Sequence, residues 1–312
     1  MALFHYTGTE SAFKIIESGV LHATHWKYLN DGSEMEAIKP QLVEIFSQEF
    51  EQVGLELISA GLMSRKIIEH HGMRVFIEEA ARLVDIAYRV TYKVSPVFIA
   101  SLCRHDKGSD QERDGLLSQW RGYGAGGGCA LEFDESVLET MLAKEADRYA
   151  CVHITLQDVD YFNHERALRG IAIEGLAQAV LKKLAKQDMK KNTKIIDDGM
   201  KALQTAIFRV APMLKHRAFS EENEARIVIP CMTPEAAKEY PQRKLKTVHF
   251  RFRDGLPVPY VKIFDGKKPL PIKRIIVGPQ RREADVAHTI RLALKARKMD
   301  ATVDVSSIPL VF

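Results

Sequence analysis

The chain has 312 residues, 46% of them apolar and 28% charged, a composition that fits a globular protein able to bury a sizeable core in one large or two modest domains. No run approaches the roughly 18 consecutive apolar residues of a spanning helix, and Met1–His5 lacks the marks of a signal peptide, so the expectation is a cytoplasmic protein with no membrane partner. The formal net charge of +4 hides an asymmetry, because residues 31–86 hold eleven acidic and five basic side chains whereas residues 241–312 hold sixteen basic and six acidic ones.

In chain order, Leu3–Tyr6 reads as a short strand, followed by a helix capped at Thr9 or Ser11 and stopped by Gly19, then a second strand at Val20–Ala23. Asn30-Asp31-Gly32-Ser33 is a turn sequence. Residues 34–89 read as helical, with Ile38, Leu42, Ile45, Phe46 and Phe50 on one face and a break near Gly54–Ser64. Strands are expected at Val97–Cys103, Cys129–Phe133 and Ala150–Leu156, with a polar loop over Arg104–Asp114. Residues 163–217 read as a helical hairpin, with stripes at Leu168, Ala172, Leu176, Val180 and Leu184 and at Ile196, Met200, Leu203, Ile207, Val210 and Leu214.

The last third returns to strands at Ala225–Ile229, Thr247–Phe252, Lys273–Val277 and Thr302–Val305, with one helix at Glu283–Lys298. The fold class expected from this order is α+β. Its mixed or antiparallel central sheet is built from the N- and C-terminal segments, and residues 1–312 form a single domain with helical insertions. Cys103, Cys129, Cys151 and Cys231 are dispersed and make no CxxC pair, so they read as buried free thiols.

Three separated clusters carry the chemistry. His5-Tyr6-Thr7 places an imidazole and hydroxyls at a strand end. Trp120-Arg121-Gly122-Tyr123-Gly124, continuing to Gly128, combines aromatic faces, a guanidinium and glycines, and reads as a loop that stacks on a heterocycle. Glu221-Glu222-Asn223-Glu224-Ala225-Arg226 opens a strand, with Glu224 and Arg226 on one side by the period-two rule. Asp31, Glu34 and Glu36 offer oxygen ligands without the spacing of a calcium loop, so no metal is expected, although a metal-dependent nuclease built on them is an alternative.

These clusters, with Ile15-Ile16-Glu17-Ser18-Gly19, Tyr28-Leu29-Asn30-Asp31 and Ile275-Ile276-Val277-Gly278-Pro279, occur in the order seen in the DUF2971 family of bacterial proteins, which the chain resembles. It departs from that pattern at Gly32, where Pro is expected, and at Ala225, where Trp is expected. More distantly, the opening unit resembles that of ADP-ribosyltransferases with a His-Tyr-Glu site. That resemblance implies NAD as substrate, with catalytic His5, Tyr123 and Glu224 holding ribose hydroxyls and stacking on nicotinamide. It also implies contacts to the nucleotide from Tyr6, Thr7, Trp120, Arg121 and Arg226. The implied activity is ADP-ribosyl transfer to a nucleic-acid or protein acceptor, or NAD hydrolysis, in a toxin or phage-defence setting. A non-catalytic nucleotide- or nucleic-acid-binding module is a second reading of the same residues.

Overall fold

A strand, a helix and a second strand open the chain: β1 (Ala2–Gly8), α1 (Thr9–Ser18) and β2 (Leu21–His25). Gly19 ends the helix at φ 64°, a left-handed conformation that costs glycine nothing, and its N–H donates to the Ile15 carbonyl. The computed structural model describes residues 1–29, 34–124, 127–161, 173–184 and 189–309. They gather into two compact units, one of residues 1–30, 97–159 and 215–312 and the other of residues 31–96 and 160–214.

The first unit is an α+β layer structure around an open, mixed sheet of ten strands. The remaining strands are β3 (Val97–His105), β4 (Gly128–Phe133), β5 (Thr155–Asp158), β6 (Glu224–Pro230), β7 (Val248–Arg253), β8 (Leu256–Ile263), β9 (Ile272–Val277) and β10 (Thr302–Val305). The order along the sheet is β10-β9-β4-β1-β3-β2-β8-β7, with β6 on β3 and β5 outside β6. Among the described strands only β10 and β9 run parallel. The sheet therefore does join N- and C-terminal segments, as the strand-helix-strand order of the sequence requires.

Its centre is a fork. One edge of β3 is paired along its length with β6, from Val97↔Pro230 to Cys103↔Glu224. The other edge is shared: β1 pairs with its end through Ala2↔His105, Leu3↔Arg104 and Phe4↔Cys103, while β2 pairs with its beginning through Thr24↔Ile99 and His25↔Phe98. Ala100–Leu102 lies between the two branches.

Alternation sorts the strand side chains onto two cores. Leu3, Leu102, Leu131, Ala225 and Ile227 join a large cluster covered by Ile15 and Ile16 of α1, by Leu138 and Leu142 of α8 (Glu135–Arg148) and by Ile290 of α11 (Glu283–Ala296). Phe4, Tyr6, Cys103, Ala130 and Ile276 face a smaller cluster that contains Leu116 and Trp120.

Several elements differ from the sequence reading. The aromatic and glycine segment is not a loop at its start but a helix, α7 (Leu117–Tyr123), and the polar stretch before it contains α6 (Asp110–Asp114). The strand expected at Ala150–Leu156 forms later, at Thr155–Asp158, because Cys151 makes only an isolated bridge to Cys231. Pro257 and Pro259 hid β8. There β8 has β7 as its one strand partner, since β2 joins only from Tyr260 onward, so their missing N–H groups need not enter a second ladder.

The second unit, among the described residues, is helical: α2 (Glu34–Ala37), α3 (Lys39–Ser59), α4 (Lys66–His71), α5 (Arg74–Val94), α9 (Ile173–Leu184) and α10 (Met189–Val210). Leu42, Phe46, Phe50, Val53 and Leu57 form the buried stripe of α3. The expected break falls after Ser59, before α4; α3 itself runs through Gly54, where the Phe76 ring of α5 lies 2.3 Å from an ideal Cβ. Leu176, Val180, Leu203 and Ile207 are buried as their stripes require, whereas Leu168 and Ala172 lie outside the described residues. Asn30–Ser33 also lies outside them. No helix among the described residues is long and apolar enough to cross a membrane.

Candidate functional site

Glu224 begins β6 immediately after a tight turn. The 3-10 turn Arg217–Glu222 ends at Asn223, whose φ of 40° reverses the chain, and Asn223 is tied to the end of β3 by its side-chain amide on the Arg104 carbonyl at 3.1 Å and by the Arg104 N–H on its own carbonyl at 2.8 Å. This anchoring fixes where Glu224 enters the sheet.

The period-two rule then sets Arg226 on the same side. Its Nε donates to Glu224 Oε1 at 2.8 Å and its Nη2 to Oε2 at 3.1 Å. Lys215 Nζ donates to Glu224 Oε2 at 2.9 Å and to Glu222 Oε2 at 2.8 Å, and the Ser101 hydroxyl also bonds the Glu224 carboxylate. Glu224 and Arg226 are each 3% exposed and Lys215 5%.

Burial by itself would raise the pKa of Glu224, but Arg226, then Lys215 and the Ser101 hydroxyl, outweigh it and hold the carboxyl below its usual range. Burial likewise opposes the charge on Lys215, and Glu224 and Glu222 overcome it, keeping the ammonium protonated. This is a buried charge network rather than the weak surface ion pair that such a sequence usually makes. Both oxygens of Glu224 are engaged, whereas the side chain of Glu222, on the same lysine, keeps 19% of its surface exposed.

Two of the other predicted residues are linked to this network, His5 through the Ser101 backbone and Tyr123 electrostatically, although the register sets His5 on the face of Leu131 and Glu224 on that of Cys103. His5 is partly buried, and its Nδ1 donates to the Ser101 carbonyl at 2.9 Å, in the mouth of the β1/β2 fork. That bond fixes the neutral tautomer with Nε2 as an acceptor. Burial lowers the His5 pKa and the nearby Arg251 guanidinium lowers it further, against the opposing pull of the Ser101 bond. Tyr123, the last residue of α7, is 46% exposed, yet its hydroxyl pKa is pushed up to about 12, by burial first and then by Glu224 and Glu222. Ser101 therefore joins His5 to Glu224, and the Tyr123 hydroxyl lies in the field of the same carboxylates.

The remaining predicted contacts are corrected or placed apart. Trp120 is not a stacking wall: it is 1% exposed, donates from Nε1 to the Asp114 carbonyl at 3.0 Å and meets Tyr6 edge-on at 4.8 Å. Its neighbouring glycines make room for that ring, since a Cβ on Gly115 or Gly278 would stand 2.4 or 2.7 Å from it. Tyr6 is 5% exposed and its hydroxyl lies 2.7 Å from His105 Nε2 while accepting from the Leu116 N–H at 2.9 Å, so it is a core anchor without a surface for a nucleotide. Arg226 is committed to Glu224. Thr7 is half-buried beside Cys129 on β4, and Arg121 is exposed on α7.

Cys103, opposite Glu224 in the register, is no nucleophile, because burial and then Glu224 and Glu222 raise its pKa well above the usual thiol value. Among the described residues no group of His, Cys, Asp and Glu is placed to hold a metal ion, and Asp31 of the nuclease alternative lies outside them.

Ser101 and Lys215 escaped the sequence reading. Ser101 carried a faint signal, as the lone polar residue in Val97–Cys103, whereas nothing around Lys215 marks it. An open depression of about 460 Å³ is lined by Lys14, His22, Tyr260, Lys262 and Arg297 among others, but not by His5, Tyr123 or Glu224. His22 nonetheless feels His5 electrostatically.

No curated protein and no solved structure matches the chain. Residues 119–227 match the family model described as "Protein of unknown function (DUF2971)", a span that runs from α7 to the middle of β6 and so contains Tyr123, Lys215, Glu224 and Arg226 but not His5. Through that region, about a third of its length, the chain is similar to the DUF2971 family.

Proposed function

We propose that the protein cleaves the nicotinamide–ribose bond of NAD and passes the ribosyl carbon to an acceptor, either water or a group on a protein or nucleic acid. The observation that carries this reading is the Ser101 link between His5 and Glu224, with the Tyr123 hydroxyl in the same field. The C1′–N bond breaks with its electron pair leaving on nicotinamide, positive charge develops on the ribose, and the acceptor's lone pair then closes on C1′ as its proton is lost. A fixed carboxylate stabilises that charge more than it stabilises the ground state.

In this reading Tyr123 stacks on the nicotinamide ring and neutral His5 accepts a ribose hydroxyl through Nε2. Glu224 is a positioning residue: locked by Arg226 and Lys215, it holds Lys215, which orients Glu222. Glu222 is the carboxylate with surface to spare for the ribose. Arg121, with the cationic depression of Lys14, Lys262 and Arg297, would neutralise the pyrophosphate. The toxin or phage-defence setting has the distant resemblance as its sole support.

A second reading is favoured by the saturation of Glu224: the same pocket binds a nucleotide without turnover. Incubation with nicotinamide-labelled NAD separates them. Release of nicotinamide that falls on Glu222→Gln and on His5→Ala, with folding intact, supports catalysis. A thermal shift by NAD without release supports the binding module. Neither release nor shift overturns both, and nucleic-acid cleavage that EDTA abolishes would return the metal-dependent nuclease.

A further inference from the structure

The hairpin of β7 and β8 closes one end of the sheet with an unusual surface. Phe250 is 65% exposed and Phe252 78%, on the terminal strand of the sheet, whose outer edge has no strand partner among the described residues. Opposite them in the register stand Pro259 and Pro257, so the four make an apolar platform on one face of the hairpin. Two rings at i and i+2 project from the same face about 7 Å apart, a spacing that suits bases held along an extended single strand.

The other face is cationic. Arg251 donates to the Thr24 hydroxyl at 2.8 Å and lies over the Tyr260 ring, and Arg253 donates to the Tyr28 carbonyl. These partners are neutral, so neither contact cancels a guanidinium charge. Asp254 is the one acidic residue between Arg243 and Lys262, a stretch with six basic ones. A protein partner has no need of that field, whereas a polyanion carrying flat rings fits both faces.

The geometry points to the β7–β8 hairpin as a binding surface for single-stranded nucleic acid, with bases stacked on Phe250 and Phe252 and phosphates drawn by Arg251 and Arg253. The inference goes beyond the NAD reading and does not depend on it, since its readout contains no NAD.

The test is fluorescence anisotropy of the full chain with labelled oligothymidylate and oligouridylate of about 12 nucleotides, and with a duplex of the same length. Both single strands, or one of them, bind at about 50 mM salt and the duplex binds at least about tenfold more weakly. Phe250→Ala and Phe252→Ala each lower affinity about tenfold, Phe252→Leu does so although it stays apolar, and Arg253→Gln reduces the salt slope by about one. All three positions are exposed, and circular dichroism confirms that each variant is folded. No binding of either single strand, equal affinity for the duplex, or unchanged affinity in the phenylalanine variants overturns the inference. So does a mass measurement in which Phe250→Ala dissolves a dimer without altering oligonucleotide binding, which would assign the surface to a second copy of the chain.

Discussion

His5 and Ser101 meet at 2.9 Å, imidazole Nδ1 to backbone carbonyl, in the gap where β1 leaves β3 and before β2 joins it. The contact spans 96 residues of sequence. Because the Ser101 hydroxyl is also bound to Glu224, one residue of a central strand couples the N-terminal cluster to the late acidic one.

Glu224→Gln is expected to cost about 3–5 kcal/mol, since it leaves the buried Arg226 and half of the Lys215 pairing facing a neutral amide. Urea unfolding measures it. With the folded pKa of Glu224 depressed, its contribution is present above the unfolded carboxylate value and is lost as pH falls through the folded one, so the gap between wild type and variant narrows in acid. A loss under about 1 kcal/mol near neutral pH would contradict the buried network.

Tyr123 separates stacking from hydroxyl chemistry. If the ring stacks on nicotinamide, Tyr123→Phe keeps release within about threefold, while Tyr123→Ala lowers it about tenfold, chiefly through a raised KM. Steady-state kinetics distinguish the two, and equal losses in both variants would assign the function to the hydroxyl.

His105 predicts a pH dependence of stability. It is 1% exposed, and its pKa is lowered to about 4, chiefly by burial. The unfolded chain takes up the proton first, so stability is full above about 6.5 and declines as pH falls toward 4, by about 3 kcal/mol from this residue. His22 and His25 share the direction, with smaller effects because they are more exposed. His105→Gln should flatten the decline in urea midpoints between about pH 7 and about pH 4.5.

The four thiols should resist alkylation. All are buried, Cys103 and Cys231 have pKa values raised well above the usual thiol range, and Cys129 is pushed up to about 12. Iodoacetamide at neutral pH should label none in the native protein and all four in denaturant, as read by intact mass. Rapid native labelling of Cys103 would reopen it as a nucleophile.

In the helical unit, Gly54→Ala places a Cβ against the Phe76 ring and should destabilise by about 1–3 kcal/mol, although alanine favours helix. Phe76→Leu in the same chain should recover part of that loss, which thermal unfolding of the single and double variants would show.

Local chemistry made much of the fold legible. The apolar runs of β3, β4, β6 and β9 mark buried strands, Gly19 marks the end of α1, and the stripe from Leu42 to Phe50 marks the inner face of α3. The same period-two logic sets Glu224 and Arg226 on one side of their strand. What sequence could not give was context. Trp120 looked like a ligand wall because aromatic rings beside glycines serve packing and binding alike, and only the closeness of Gly115 and Gly278 decides for packing. Pro257 and Pro259 left β8 unassigned because a proline's tolerance within a strand depends on which edge is paired. Lys215 and Ser101 reach Glu224 only through the fork and the turn at Asn223, contacts made by folding across long separations. Tertiary structure thus decided which charges are buried together, since burial and pairing depend on neighbours in space rather than along the chain.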